Sequence, residues 1–175
     1  MKKGLIQVYT GDGKGKTTAA FGLALRALGR GLSVTVVQFM KTEITGELLA
    51  AKSFEKCSVI RVNTSPKFTW NMNEAELQKL TEETKAGFKE ICRLAWEQSC
   101  DILILDEINH VLSKNIINES DIIYLISIKP ENMEIVLTGR NAPDWLIERA
   151  DLVTEMKCIK HPYTQGIMAR QGIEN

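Results

Sequence analysis

Three glycines, two lysines and two threonines lie within eight residues near the start of the chain, in the stretch Gly11-Asp12-Gly13-Lys14-Gly15-Lys16-Thr17-Thr18. Glycine lets backbone N–H groups approach an anion closely. A helix that begins here would aim its free N–H groups and its positive dipole end at the same point. Lys16 adds a full charge, and the Thr17 hydroxyl can be a ligand of a Mg²⁺ ion that bridges phosphates. The stretch therefore predicts a binding site for a triphosphate.

The residues on either side of this stretch support that interpretation. An apolar run with Leu5, Ile6 and Val8 predicts a strand before it, and residues 17–28 predict a helix after it. The match to the phosphate-binding loop (P-loop) pattern G-x-x-x-x-G-K-[ST] is incomplete, because Thr10 stands at the first glycine position. The alternative is a glycine-rich turn without a ligand, although such a turn needs only one or two glycines. The strand–loop–helix context favours the P-loop.

Charged residues follow two further predicted strands. Asp106 and Glu107 end the predicted buried strand 101–107, where a carboxylate could hold Mg²⁺ directly or through water. The alternative is two acids that merely end a strand. Arg140 follows the run 134–138, where it could clamp phosphate oxygens or form a surface salt bridge.

Two aromatic residues, Phe68 and Trp70, lie in a polar loop that also holds Pro66. Because they are two positions apart, they would face the same side of an extended segment. They could form a platform for a flat apolar ligand, or they could fill an edge of the core. His110 is interpreted as structural.

The alternation of predicted strands and helices indicates one α/β domain over residues 1–175, with a mostly parallel sheet of about six strands and helices on both faces. Ligands of such sheets bind at the carboxyl ends of the strands. A long helix is predicted to begin after Asn73, with Glu76 in the capping box. Residues 40–50 are predicted to be a polar connection and residues 160–175 a tail. The apolar face predicted for the long helix comprises Leu77, Leu80, Phe88, Ile91, Leu94 and Ala95.

Composition narrows the class of protein. Lys and Arg number 22 and Asp and Glu number 22, so no overall field favours nucleic acid or an anionic membrane. The start of the chain is not typical of a signal peptide and no apolar run has the length of a membrane span, so we expect a cytoplasmic protein. The four cysteines show no metal-binding spacing, and reduced thiols are expected.

Taken together, these motifs closely resemble the ATP:corrinoid adenosyltransferases of the RecA-like P-loop type, whose acceptors are cob(I)alamin or cob(I)yrinic acid a,c-diamide. The resemblance runs nearly end to end, and Thr10 is itself the form that the family uses. The matching segments are residues 9–22, 37–41, 68–70, 105–107, 137–140, 160–163, 166–167, 169–170 and 172–174.

The resemblance implies that a Co(I) corrinoid attacks the 5′ carbon of ATP and expels tripolyphosphate. It implies that residues 11–18 and Arg140 bind ATP, with Lys16, Thr17 and Glu107 as the catalytic residues. Thr17, Glu107 and Asp106 would hold Mg²⁺ or Mn²⁺. Phe68 and Trp70 would crowd the lower face of the corrin and displace its axial base, which lets a flavodoxin or flavin reduce the cobalt.

The family also implies a homodimer. The chain departs from the family pattern at Thr42 and Lys67, where glycines are usual, and it lacks the N-terminal extension of some members. These departures concern corrinoid specificity and closure of the site. The main alternative function is a P-loop small-molecule kinase or a RecA-like ATPase.

Overall fold

The computed structural model describes residues 3–41, 44–62 and 71–173. The strands of this part are β1 Ile6–Thr10, β2 Val34–Gln38, β3 Cys57–Arg61, β4 Ile102–Asp106, β5 Glu134–Thr138 and β6 Leu152–Glu155. They form one sheet in the order β3-β2-β4-β5-β1-β6, and every neighbouring pair is parallel. The predicted α/β fold with a parallel sheet of about six strands is confirmed.

Helices cover both faces of this sheet. They are α1 Lys16–Leu28, α2 Gly46–Ala51, α3 Glu74–Trp96, α4 Ile108–Ser113, α5 Glu119–Ile128 and α6 Asp144–Arg149, and a 3-10 turn follows at Pro162–Gln165. Successive side chains of β4 point to opposite faces of the sheet, as in any β-strand. Ile102 and Ile104 join the core that contains α1, and Leu103 and Leu105 join the core under α3 to α6.

Helix α1 packs through small side chains. Ala20, Ala24 and Ala27 are buried against the sheet, at the spacing of one helical face. Small residues bring the helix axis close to the strands. The beginning of α1 is therefore held firmly at the carboxyl end of β1, where the glycine-rich stretch lies.

The long helix α3 begins with the predicted capping box. The Asn73 side chain accepts a hydrogen bond from Glu76 N at 2.9 Å, and the Glu76 carboxylate accepts one from Asn73 N at 2.9 Å. The predicted apolar face is confirmed for four of its six residues; Leu94 is partly buried, and Leu77, in the first turn, is exposed. The buried four are Leu80, Phe88, Ile91 and Ala95.

Two short helices contradict the sequence interpretation. The sequence predicts a polar connection over residues 40–50, yet α2 forms there and buries Leu48 and Ala51, three positions apart. Helix α4 follows Glu107 directly and has no counterpart among the predicted elements. Six residues are too few for a periodic pattern to stand out, and helices of this length depend on tertiary packing. In the described residues no helix has the length and apolar character needed to cross a bilayer.

Candidate active site

The glycine-rich stretch forms a tight loop between β1 and α1. Gly11 and Gly15 adopt φ angles of 97° and 117°, in the left-handed region that favours glycine. Gly13 is required for a different reason: its N–H donates to the carbonyl of Met156 at 2.7 Å, and a Cβ on Gly13 would lie 2.7 Å from that oxygen. The loop is therefore shaped by its own backbone and by the chain that follows β6.

Thr10, at the first glycine position of the general pattern, ends β1 without a positive φ. Its hydroxyl accepts a hydrogen bond from Ala142 N at 3.1 Å. A threonine here therefore fits the backbone and joins the loop to the segment after β5.

The ammonium of Lys16 lies inside the loop. Its Nζ donates to the carbonyl oxygens of Gly11 and Gly13, each at 2.7 Å, and only 7% of the residue is exposed. Burial lowers the pKa of Lys16; Glu107 and Asp12 act in the opposite direction, while Arg140 lowers the pKa further. A positive charge is thus concentrated where the N-terminus of α1 and the loop converge, which is the electrostatic requirement for binding a polyphosphate.

A buried carboxylate, that of Asp106, stands opposite the first turn of α1. Its Oδ1 accepts hydrogen bonds from Thr17 Oγ1 at 2.9 Å and from Thr138 Oγ1 at 2.8 Å. Its Oδ2 accepts from Gln38 Nε2 at 3.3 Å and lies 2.6 Å from Lys41 Nζ. Four donors thus serve the two oxygens, which compensates the cost of burying this charge.

Glu107 occupies a bent backbone position directly after β4. Its φ of 67° is unusual for a residue other than glycine, and its N–H donates to Thr138 Oγ1 at 3.1 Å. The bend turns the chain into α4 and separates Glu107 from the buried Asp106. The negative charge of Glu107 acts to raise the pKa of Lys16, against the effect of burial.

Arg140 is brought to the P-loop by the turn after β5. Gly139 has a φ of 132°, and its carbonyl accepts from Asn109 Nδ2 at 3.1 Å. Arg140 Nη2 lies 3.5 Å from the carbonyl oxygen of Asp12. The guanidinium is exposed, so it can turn toward a bound anion.

Three other predicted ligands of ATP contact other parts of the chain or the solvent, and the two predicted corrinoid contacts lie outside the described residues. Lys14 Nζ donates to the carbonyl of Ile173 at 2.7 Å, and Asp12 Oδ1 accepts from Cys158 N at 3.2 Å. Thr18 is exposed on the first turn of α1. Phe68 and Trp70 lie outside the described residues, so their predicted role stays a prediction.

The donor set beside the P-loop suits a divalent cation. Thr17 gives its proton to Asp106, so its lone pairs remain available to a cation, and oxygen is the donor that Mg²⁺ prefers. A cationic group already lies against these oxygens, because Lys41 Nζ is 3.3 Å from Thr17 Oγ1 as well as 2.6 Å from Asp106. Thr17, Asp106 and Glu107 could therefore hold the metal directly or through water.

Sequence reasoning missed three residues of this cluster, namely Gln38, Lys41 and Thr138. Gln38 ends β2 and Thr138 ends β5, the two strands that pair with β4. Lys41 follows shortly after the end of β2. The available signal was position: polar residues that end parallel strands meet at one edge of the sheet.

Comparison with known proteins supports the same interpretation. A model of the family "ATP:corrinoid adenosyltransferase BtuR/CobO/CobP" matches residues 2–175. A corrinoid adenosyltransferase of Sinorhizobium sp is 42% identical over 178 residues, covering 99% of this chain and 81% of the relative. A corrinoid adenosyltransferase of Pseudomonas aeruginosa is 34% identical over 174 residues, covering 99% and 84%.

Solved structures with similar folds are more distant in sequence. The flagellar accessory protein FlaH of Methanocaldococcus jannaschii gives a TM-score of 0.60 at 16% identity, covering 89% of this chain and 72% of that one. A KaiC-like protein of Pyrococcus horikoshii OT3 gives 0.50 at 14%, covering 98% and 76%. These likenesses concern the fold alone. With the full-length family match and the P-loop geometry, the sequence relatives establish that the chain belongs to the ATP:corrinoid adenosyltransferase family BtuR/CobO/CobP.

Proposed function

We propose that this chain transfers the 5′-deoxyadenosyl group of ATP to the Co(I) centre of a reduced corrinoid. The cobalt supplies an electron pair to C5′, a cobalt–carbon bond forms, and the C5′–O bond breaks. The electron pair of that bond leaves with tripolyphosphate. The observation that carries the proposal is that a family match over residues 2–175 coincides with a P-loop whose lysine lies inside the loop.

In this reaction the P-loop would bind the leaving group. Negative charge grows on the triphosphate as the C5′–O bond breaks, so groups that bind it act more strongly in the transition state than in the ground state. The residues available for this are Lys16, the N–H groups at the start of α1, and Arg140 beside Asp12. In free protein Lys16 Nζ is bonded to carbonyls of the loop, and phosphate oxygens would replace those partners.

Mg²⁺ or Mn²⁺, when bound, would neutralise charge on the triphosphate oxygens. We expect Thr17 to be a ligand, with Glu107 or Asp106 completing the protein side directly or through water. Asp106 also fixes the Thr17 hydroxyl through the 2.9 Å hydrogen bond, which would leave the lone pairs of Thr17 available to the metal.

The corrinoid would approach at the same edge of the sheet. Strand β3 ends at the carboxyl edge of the sheet, where the P-loop lies. The resemblance of residues 68–70 to the motif of the family supports the proposal that Phe68 and Trp70 contact the corrin. A single domain over residues 1–175, a homodimer, a flavodoxin or flavin reductant and a cytoplasmic location belong to the same proposal.

The decisive experiment identifies the products. Purified protein with ATP, Mg²⁺ and chemically reduced corrinoid is expected to yield an adenosylated corrinoid and intact tripolyphosphate. In Lys16→Met this activity should fall about a hundredfold, the usual effect of removing one charge-stabilising donor. Lys85→Met, on the exposed side of α3, is the matched control and should keep full activity. ADP and phosphate formed without dependence on corrinoid would instead support a kinase or an ATPase.

A further inference from the structure

The ammonium of Lys41 occupies the position between the two groups that we expect to hold the divalent cation. Its Nζ lies 2.6 Å from Asp106 Oδ2 and 3.3 Å from Thr17 Oγ1. The Asp106 side chain is fully buried and that of Lys41 is 20% exposed, so the ammonium covers the carboxylate from the solvent side. A positive charge of this chain thus lies against the hydroxyl and the carboxylate that we expect to hold a metal ion.

The backbone holds Lys41 in this position. Phe39 N donates to the carbonyl of Asp106 at 3.0 Å, which continues the β2–β4 ladder past the last strand residue. Met40 then takes a left-handed φ of 54°, and the Arg61 guanidinium donates to the carbonyl of Lys41. The contacts of Phe39 N and of the Lys41 carbonyl therefore fix the backbone position from which the Lys41 side chain extends.

A divalent cation cannot reach Asp106 while these contacts persist. The two carboxylate oxygens already accept from four donors, which is the number of lone-pair sites they offer. The Lys41 ammonium also lies against Thr17, so an incoming metal would meet a like charge at contact distance. Binding of metal therefore requires Lys41 to leave.

The amide of Gln38 adds an independent sign that this cluster has a second arrangement. Gln38 is fully buried, its Nε2 faces Asp106, and its Oε1 has no hydrogen-bond partner among the described residues. An acceptor buried without a partner is costly. A donor that enters beside Asp106, such as a water of a hydrated metal ion, would satisfy it.

We propose that Lys41 is a tethered occupant of the divalent-cation site. In free protein it neutralises Asp106 and excludes the metal; when a triphosphate binds, the phosphate oxygens offer the ammonium a new partner and the metal replaces it at Thr17 and Asp106. Metal binding thus depends on nucleotide. This inference rests on the proposed function, since it assumes that the P-loop binds ATP.

The test measures binding of Mn²⁺ alone, by electron paramagnetic resonance, to full-length protein without nucleotide or corrinoid. Wild type should bind Mn²⁺ weakly at this site, and Lys41→Met should bind it about tenfold more tightly or better. Lys41→Ala, which removes both the charge and the donor, should show the same gain. Lys56→Met is the matched control. The Lys56 ammonium donates to the Gly31 carbonyl at the amino ends of the strands, away from the candidate metal site, so the Mn²⁺ affinity of this variant should equal that of wild type.

The gain in Mn²⁺ affinity of Lys41→Met must also depend on the carboxylate of Asp106. Adding Asp106→Asn to Lys41→Met should abolish it. Equal Mn²⁺ affinity of wild type and both Lys41 variants would overturn the inference, as would a gain that survives Asp106→Asn. Either result leaves adenosyl transfer by the wild type untouched, so failure of this inference is distinguishable from failure of the proposed function.

Discussion

The hydroxyl of Thr17 donates to Oδ1 of Asp106 at 2.9 Å, across 89 positions of the chain. This contact joins the first turn of α1 to the last residue of β4, and the same oxygen accepts from Thr138 at the end of β5. One buried carboxylate therefore fixes the relative positions of the P-loop helix and of two strand ends. Geometry at the candidate metal site depends on this junction.

Replacing Thr17 with valine tests this junction, because valine has nearly the same shape and no hydroxyl. We expect adenosyl transfer to fall about a hundredfold, as for loss of one charge-stabilising group. We also expect the free energy of unfolding to fall by about 1–3 kcal/mol, because Asp106 loses a donor. Steady-state rates across a range of Mg²⁺ concentrations and urea denaturation measure the two effects.

The control for Thr17→Val is Thr81→Val on α3, whose hydroxyl donates to the Leu77 carbonyl in the first turns of that helix. It should leave turnover unchanged. Full activity of Thr17→Val at low Mg²⁺ would show that the hydroxyl does not serve the metal.

Thr10 offers a test of why the chain departs from the general P-loop pattern. Thr10→Gly restores that pattern but removes the hydroxyl that accepts from Ala142 N. We expect the free energy of unfolding to fall by about 1–2 kcal/mol, from the lost hydrogen bond and the added backbone entropy of glycine. Thr10→Ser keeps the hydroxyl and should stay near wild type in urea denaturation. Equal stability of the two variants would assign no role to the contact.

Much of the fold was predictable because local patterns and global packing agree. The apolar runs form strands, and the glycine-rich stretch lies between β1 and α1 as predicted. Asp106 is predicted from its place at the end of an apolar run, and the structure puts it beside the first turn of α1. Strand order adds nothing to the prediction of the P-loop, since its strand, loop and helix are consecutive, whereas the position of Asp106 opposite α1 rests on the rule that the carboxyl ends of parallel strands meet at one edge of the sheet.

The contacts of Lys41 were not predictable in this way. Its partner Asp106 belongs to β4, and the two meet only because β2 and β4 are neighbours in a sheet whose order is not the order of the chain. The carbonyl of Met156 is likewise beside Gly13 only because β6 pairs with β1. Sequence periodicity indicates which residues form strands but not which strands are adjacent.

Alanine substitutions at Gly13 and Gly22 distinguish two effects of glycine: at Gly13 it leaves room for a neighbouring backbone, and at Gly22 it lowers helix propensity. In Gly13→Ala the new Cβ would lie 2.7 Å from the Met156 carbonyl oxygen, so the loop or the chain after β6 must shift. We expect lower stability and weaker ATP binding, measured by urea denaturation and calorimetry. Gly22 lies in α1, and a methyl group added there would meet no described atom within 4 Å beyond its own helix backbone, so Gly22→Ala should stabilise the protein by about 1 kcal/mol. Destabilisation by both would point to α1 rather than to Met156.

Asp101 predicts a pH dependence of stability. Ser33 donates to its Oδ2 from both N and Oγ, each at 2.8 Å, and these hydrogen bonds, that from the backbone foremost, lower the pKa of the carboxyl. A carboxyl whose folded pKa lies below its unfolded value of about 3.9 stabilises the fold above that value. This contribution is lost as pH falls through the folded pKa.

Asp101→Asn, which resembles the protonated carboxyl, should therefore lower the free energy of unfolding at about pH 7, and the deficit should shrink below about pH 4. Urea denaturation at a series of pH values measures this. The exposed control Glu55→Gln should follow the wild-type curve throughout. A deficit of Asp101→Asn that stays constant with pH would mean that the contact between Ser33 and Asp101 acts through shape rather than charge. This contact joins the start of β2 to the start of β4, so its loss would loosen these two strands. Asp106 ends β4 and Lys41 follows β2, so the candidate metal site lies at the other ends of the same strands.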